Sequence, residues 1–199
     1  GGIQIGHGSR PVSTSKVFTT GDLVQTDERL DIAIAGAGFF EVQMPGGFQG
    51  YTRDGSFKVS ADGAVVTNEG YQVVNAIPNI GAEVSNIAIS KTGEYTLFDQ
   101  QGQNIGAGQI QTTRFINPSG LQNIGGNIYQ ETPASGVSEQ GNPGQNGFGE
   151  LAQGYLEMSN VKVVEEMVNL IKAQRAYEVN SKAIQAADEM MQKSNNIKR

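Results

Sequence analysis

From residue 160 to residue 195 the sequence contains neither glycine nor proline. Elsewhere glycine is abundant, filling 27 of 199 positions, and nine of those fall in residues 116–159 immediately upstream. The two residues that most readily break a helix therefore disappear together at one point in the chain. At the same point apolar residues begin to recur with a helical period. Steps of seven meet Val163, Leu170, Tyr177, Ile184 and Met191, all apolar, with Met167 beside the first two. The matching later positions, Gln174, Ser181 and Asp188, turn polar, so the seam is imperfect for a two-stranded leucine zipper. The pattern still predicts one long amphipathic helix that must bury a face. Ser159 or Asn160 reads as its N-cap, with Glu165 and Glu166 at the positive end of the dipole. Lys193, Lys198 and Arg199 stand at the opposite end, which the dipole also favours. About 36 helical residues span roughly 54 Å.

Upstream, residues 30–129 read as short strands divided by turn signals. Leu30-Asp-Ile-Ala-Ile alternates with period two and stops at Gly36-Ala-Gly38; Phe39-Phe40-Glu-Val-Gln-Met stops at Pro45-Gly46-Gly47. Asp54-Gly55 and Asp62-Gly63 predict hairpins with type I′ turns, because both residues tolerate positive φ. Further strands are expected at 64–67, 71–74, 85–89, 94–98 and 108–115. Residues 116–159 hold Pro118, Pro133 and Pro143 and no Lys or Arg, and they read as loop or extended arm. The expected architecture is mainly β with a long C-terminal α-helix. An extended arm at 1–27 leads to a barrel- or sandwich-like body at 28–129, a Gly-rich return arm at 130–159 and a helix at 160–199. A body of about 100 residues has a radius of gyration near 13 Å, so such a helix overhangs it. No second long helix is available within these residues to pair with it. Its partner is expected in another subunit or in a part of the protein outside them, which points to assembly.

Composition excludes much chemistry. There is no Cys, no Trp and a single His, His7. Disulfides, zinc-thiolate sites and cysteine nucleophiles are thereby ruled out, and a serine triad would depend on His7, in a Gly-rich extended stretch. The formal net charge is −6, unevenly placed: residues 1–159 carry seven basic and fifteen acidic side chains, residues 160–199 seven and five. An acidic body argues against nucleic-acid binding, which needs phosphate neutralisation. No apolar run is long enough to span a membrane, and no signal peptide opens the chain. The start at Gly1-Gly2 is read as that of a processed or truncated product. Gly36-Ala-Gly38 follows an apolar strand but lacks the third glycine and the helix of a dinucleotide loop. The two Asp-Gly pairs lack the spaced acidic ligands of a calcium loop. No cofactor, metal site or catalytic group is expected.

The strings Gly154-Tyr-Leu-Glu-Met-Ser-Asn-Val, Glu165-Glu-Met-Val-Asn-Leu-Ile and Ala173-Gln-Arg-Ala-Tyr-Glu-Val-Asn-Ser-Lys closely resemble the C-terminal segment of bacterial flagellar rod and hook proteins. Gly38-Phe-Phe-Glu-Val, Tyr51-Thr-Arg-Asp-Gly-Ser-Phe and Ile3-Gln-Ile-Gly-His-Gly-Ser-Arg-Pro-Val extend the resemblance over essentially the whole chain. It implies a non-enzymatic structural subunit of the rod's distal part, exported without a cleaved signal and polymerising helically with copies of itself. Implied partners are the neighbouring proximal rod and hook proteins, the flagellar export apparatus and the outer bushing rings, with no nucleic acid and no membrane insertion. The implied location is the basal-body rod crossing the periplasm. The family's N-terminal helix, which pairs with the C-terminal one, is expected to be missing from these residues. On this reading Val163, Met167, Leu170, Gln174, Tyr177, Ile184 and Met191 pack against helix partners. Asn160, Arg175, Glu178 and Lys182 supply polar contacts that fix register. Alternatives are a proximal rod or hook member of the same family, or a secreted β-rich binding module on a helical oligomerisation stalk.

Overall fold

The computed structural model describes residues 16–197. It divides between Met158 and Ser159 into a β-rich unit and a helical one. The strands are β1 (Leu23–Gln25), β2 (Ile32–Ala35), β3 (Phe40–Gln43), β4 (Gln49–Thr52), β5 (Lys58–Val59), β6 (Val65–Val66), β7 (Gln72–Val74) and β8 (Asn86–Ile89). They continue as β9 (Glu94–Phe98), β10 (Asn104–Gln109), β11 (Thr112–Arg114), β12 (Gln122–Gly125), β13 (Ile128–Gln130), β14 (Glu139–Gly141), β15 (Glu150–Gln153) and β16 (Tyr155–Glu157). The α-helix α1 (Val163–Ile197) follows.

The largest sheet has the order β12-β13-β4-β3-β7-β6-β5, and β10-β9-β8 forms a second. Three two-stranded pairs complete the body: β2 with β15, β11 with β14 and β1 with β16. Among the described residues no sheet closes on itself, so the body is open rather than a closed barrel. Alternation explains the main core. On β3, Phe40 and Val42 face it, joined by Ile32 and Ile34 of β2, Tyr95 and Leu97 of β9 and Leu151 of β15. A second cluster of Phe39, Tyr51, Phe115 and Leu121, flanked by Phe18 and Tyr129, is held by edge-to-face rings such as Tyr51–Phe115 at 4.8 Å. The described part of the N-terminal arm is thus fastened to the body through Phe18. His7 lies outside the described residues.

Several of the hairpins repeat one turn. In each, the residue closing the first strand both donates four residues ahead and accepts from a glycine three ahead. The pairs are Ser60 N to Ala64 O (2.8 Å) with Gly63 N to Ser60 O (2.9 Å), and Thr67 N to Tyr71 O (2.8 Å) with Gly70 N to Thr67 O (2.9 Å). Ser90 with Gly93 and Asp99 with Gly102 repeat it. The four glycines have φ between 76° and 88°. This is the three-residue loop with a left-handed residue at its end. The expected type I′ turn at Asp62-Gly63 is therefore corrected, since only the glycine takes positive φ.

Asp54-Gly55 is no hairpin at all, because β4 pairs with β3 and β13 while β5 pairs with β6. The Asp54 carboxylate accepts from Ser56 N (3.0 Å) and Ser56 Oγ (2.6 Å), a local turn that the same dipeptide also favours. Gly55 is where the chain crosses β2. Ile32 N donates to Gly55 O at 3.0 Å, and a Cβ at Gly55 would lie 1.7 Å from the Ile32 carbonyl oxygen.

Two further expectations change. The single strand at 108–115 is split at buried Ile110, whose N–H bonds Gly93 O at 2.8 Å while Gln111 N bonds Asn75 O at 2.9 Å, so β10 and β11 join different sheets. Residues 116–159, expected as loop or arm, supply β12 to β16. Apart from the local β12–β13 hairpin, their partners lie outside the segment: Ile128 opposes Thr52 and Leu151 opposes Ile34. Such pairing leaves no local signature beyond the turns.

Candidate polymerisation surface

Helix α1 runs for 35 residues, roughly 52 Å at 1.5 Å per residue. It begins three residues beyond Asn160. The first helical bond runs from Glu166 N to Lys162 O (3.0 Å), which places Lys162 rather than Ser159 or Asn160 at the cap position. Ser159 Oγ accepts instead from Val161 N at 3.2 Å, forming a turn ahead of the helix. Glu165 and Glu166 occupy the first turn as expected. The last turn of the helix carries no base, and Lys198 and Arg199 lie outside the described residues.

The large apolar side chains of α1 are exposed: Val163 61%, Leu170 59%, Tyr177 78%, Ile184 64% and Met191 67%. Met167 is exposed as well, as are Asn160, Gln174, Arg175, Glu178 and Lys182. A straight helix drifts about 20° per heptad against a seven-residue repeat, so the five apolar steps wind slowly around the helix. Gln174 falls in line with Val163 and Met167, whereas Arg175, Glu178 and Lys182 lie on the side away from Ile184 and Met191.

The strand leading into α1 is anchored by a cluster that sequence reasoning did not single out. Glu157 of β16 pairs with Arg53, just beyond β4, at 2.7 Å, and their side chains are 15% and 10% exposed for Arg53 and Glu157 respectively. Arg53 Nε also donates to Glu157 Oε2 at 2.9 Å, and Gly21 N donates to Glu157 Oε1 at 2.9 Å. The rest of the guanidinium donates to Gly36 O and Gly38 O, each at 3.0 Å, and to Ile34 O at 3.3 Å. Gly36-Ala-Gly38 thus presents carbonyl acceptors to a cation, the opposite of a phosphate loop's N–H donors. Gly36 takes φ 126°, and a Cβ there would lie 2.9 Å from Gly149 Cα. Beside the pair, Leu23 opposes Glu157 in the β1–β16 ladder and Met158 N bonds Asp22 O at 2.9 Å. The segment entering the body and the one leaving it therefore run side by side.

Tyr51, two residues before Arg53, is buried. Desolvation raises its phenol above 10.0, a side-chain hydrogen bond with Ser138 opposes that, and Glu41 and Glu131 add to the rise. Among the described residues no three His, Cys, Asp or Glu side chains cluster to hold a metal, and no helix is long and apolar enough to cross a membrane.

Residues 33–97 match the family model of the flagellar hook protein FlgE/F/G D1 domain, and residues 152–197 match that of the flagellar basal body rod FlgEFG protein C-terminal. The chain is 49% identical over 193 residues to the flagellar basal-body rod protein FlgG of Buchnera aphidicola from Acyrthosiphon pisum, covering 96% of this chain and 74% of that protein. It is 46% identical over 200 residues to FlgG of Borreliella burgdorferi, covering 100% and 76%. For FlgG of Bacillus subtilis the identity is 37% over 200 residues, covering 98% and 75%. The chain belongs to the FlgG family of flagellar basal-body rod proteins.

In this FlgG-family chain, the Arg53–Glu157 pair ties together the two regions that the family models match, since Arg53 lies in 33–97 and Glu157 in 152–197. The strings Tyr51-Thr-Arg and Glu157-Met-Ser-Asn, 104 residues apart between their charged members, are two halves of one joint. The available signal was charge scarcity: Arg53 is one of only seven basic residues before residue 160.

Proposed function

We propose that the chain is a structural, non-catalytic subunit of the distal part of the bacterial flagellar rod, polymerising helically with copies of itself to transmit torque across the periplasm. The observation that carries this reading is α1, a helix of 35 residues whose large apolar side chains are exposed. Burying one Leu- or Ile-sized side chain contributes about 1.5–3 kcal/mol, so a run of them supplies a strong drive to associate. Val163, Met167, Leu170, Tyr177, Ile184 and Met191 pack into neighbouring helices, with Gln174 at the margin. Asn160, Arg175, Glu178 and Lys182 fix register through polar contacts. The β-rich unit meets neighbouring subunits and the outer bushing rings, and proximal rod and hook proteins adjoin the polymer's ends. The subunit reaches the rod through the flagellar export apparatus.

The test is Leu170→Asp with Ile184→Asp in the complete protein, expressed in a motile host lacking its own copy. Two buried carboxylates in an apolar seam are expected to abolish rod completion and swimming. Normal motility of the double variant refutes a role for α1 in the polymer.

A further inference from the structure

The two larger sheets of the body end in four edge strands, β12 and β5 for one and β10 and β8 for the other. A free edge offers unpaired N–H and C=O groups to any second chain, and a charged side chain is a common protection. Charged residues make up only 17% of this chain, and neither β10 (Asn-Ile-Gly-Ala-Gly-Gln) nor β12 (Gln-Asn-Ile-Gly) holds one. Polar, glycine-bearing strands of this kind also specify their register weakly, which favours stray pairing.

Both of these edges carry the same four residues and the same irregularity. Gln103-Asn104-Ile105-Gly106 and Gln122-Asn123-Ile124-Gly125 are identical in sequence. In β10, Asn104 opposes Phe98 and Gly106 opposes Leu97, so Ile105 has no residue across from it. In β12, Asn123 opposes Tyr129 and Gly125 opposes Ile128, and Ile124 is left over in the same way. Each bulge is closed by its own asparagine: Asn104 Oδ1 accepts from Gly106 N at 2.9 Å, and Asn123 Oδ1 from Gly125 N at 2.8 Å. Both bulged isoleucines are exposed. A bulge bends its strand and increases the local twist, which turns a flat edge away from an incoming strand. The tripeptide alone does not make the bulge, since Asn79-Ile80-Gly81 lies outside any strand, with Ile80 N bonded to Gly63 O at 2.7 Å.

A third amide covers β8. Gln153 of β15 accepts from Ile89 N at 2.9 Å and donates to Ile87 O at 2.8 Å, so one side chain stands where a paired strand would be. The remaining edge, β5, is two residues long and begins with the exposed Lys58. Short length and an edge lysine are both deterrents to strand addition.

We propose that these side-chain amides guard the sheet edges, and that the twin Gln-Asn-Ile-Gly bulges stop one copy of the body from adding a strand to the next. Copies held close together then meet through side chains while each keeps its own sheets. This guarding is independent of any role of α1.

The test uses the 199-residue chain carrying Leu170→Asp and Ile184→Asp as the parent, so that association through α1 does not contribute. Asn104→Val with Asn123→Val removes both amides, and because the two asparagines are exposed the apolar clusters are untouched. Deletion of Ile105 and Ile124 makes both edge strands regular while every other residue keeps its present partner. Ile105→Ser with Ile124→Ser keeps the bulges and removes only the apolar side chains. Circular dichroism and a cooperative thermal transition verify that each body folds. On incubation at high concentration, the valine pair and the double deletion are expected to form sedimenting oligomers. These should show a several-fold rise in thioflavin T fluorescence and an infrared band of intermolecular β-sheet. The parent and the serine pair are expected to remain monomeric, with no such rise. Should the deletion fail to fold, the valine pair decides alone, because its changes lie on the surface. A folded valine pair that stays as dispersed as the parent overturns the proposal, as do oligomers that lack the intermolecular β-sheet band. A serine pair that aggregates like the valine pair also overturns it, since the bulges would then be present without effect.

Discussion

Thr112 lies at the centre of the body with no exposed surface, and its hydroxyl oxygen has no hydrogen-bond partner. A buried hydroxyl left unpaired costs about 1–3 kcal/mol, whereas an apolar group of the same shape costs nothing to desolvate. Thr112→Val is therefore expected to leave the fold intact and raise its stability by up to about 1–3 kcal/mol in urea unfolding. A loss of stability would mean that the hydroxyl is paired after all. At this scale the sequence was informative about where the chain turns and weak on how. Gly63, Gly70 and Gly93 mark their hairpins because each must take positive φ, a demand visible in residue type alone. Asp54-Gly55 has the same lettering but answers to Ile32, some twenty residues away.

Single elements of the body are short, and their stability comes from what they are joined to. β16 has three residues, yet Arg53 ties it to the loop after β2 and to β4. Removing one partner of a largely buried pair leaves the other charge unsatisfied, at a typical cost of 3–5 kcal/mol. Glu157→Gln and Arg53→Met are each expected to destabilise the body by about 3 kcal/mol, the low end of that range because the pair retains some solvent contact. The double variant is expected to cost less than the sum, with a coupling of about 1–3 kcal/mol in a double-mutant cycle by urea denaturation. Additivity within about 0.5 kcal/mol would show that the two groups do not communicate. Strands with alternating residues, such as β9 at Glu94–Phe98, were legible from local pattern. The strands after residue 116 were not, because β13 and β15 are specified by the edges of β4 and β2 that receive them. The helix was legible because its period is carried by its own side chains, although its start lies beyond the cap that Ser159 or Asn160 suggested.

At the scale of the whole chain, the two units draw their stability from different sources. The β-rich unit encloses two apolar clusters of its own, the larger with fifteen buried residues. The helical unit holds its large apolar side chains exposed, so the burial that would stabilise it is not supplied by the described residues. Isolated helices in water gain little from propensity alone, because nucleation is unfavourable and tertiary burial normally supplies the balance. The charge distribution follows the same division, with the acidic excess before residue 160 and a slight basic excess after it. In dilute solution the 199-residue chain is therefore expected to show a β-type circular dichroism spectrum and one cooperative thermal transition whose midpoint does not depend on protein concentration. The helical signal is expected to be weak under those conditions and to grow with concentration, since association supplies the missing burial by mass action. Strong helicity in a dilute monomer, verified by sedimentation, would show that α1 holds itself without neighbours and would remove the energetic reason for its assembly. A body transition that moves with concentration would show that association stabilises the β-rich unit as well, and that the two units do not fold independently.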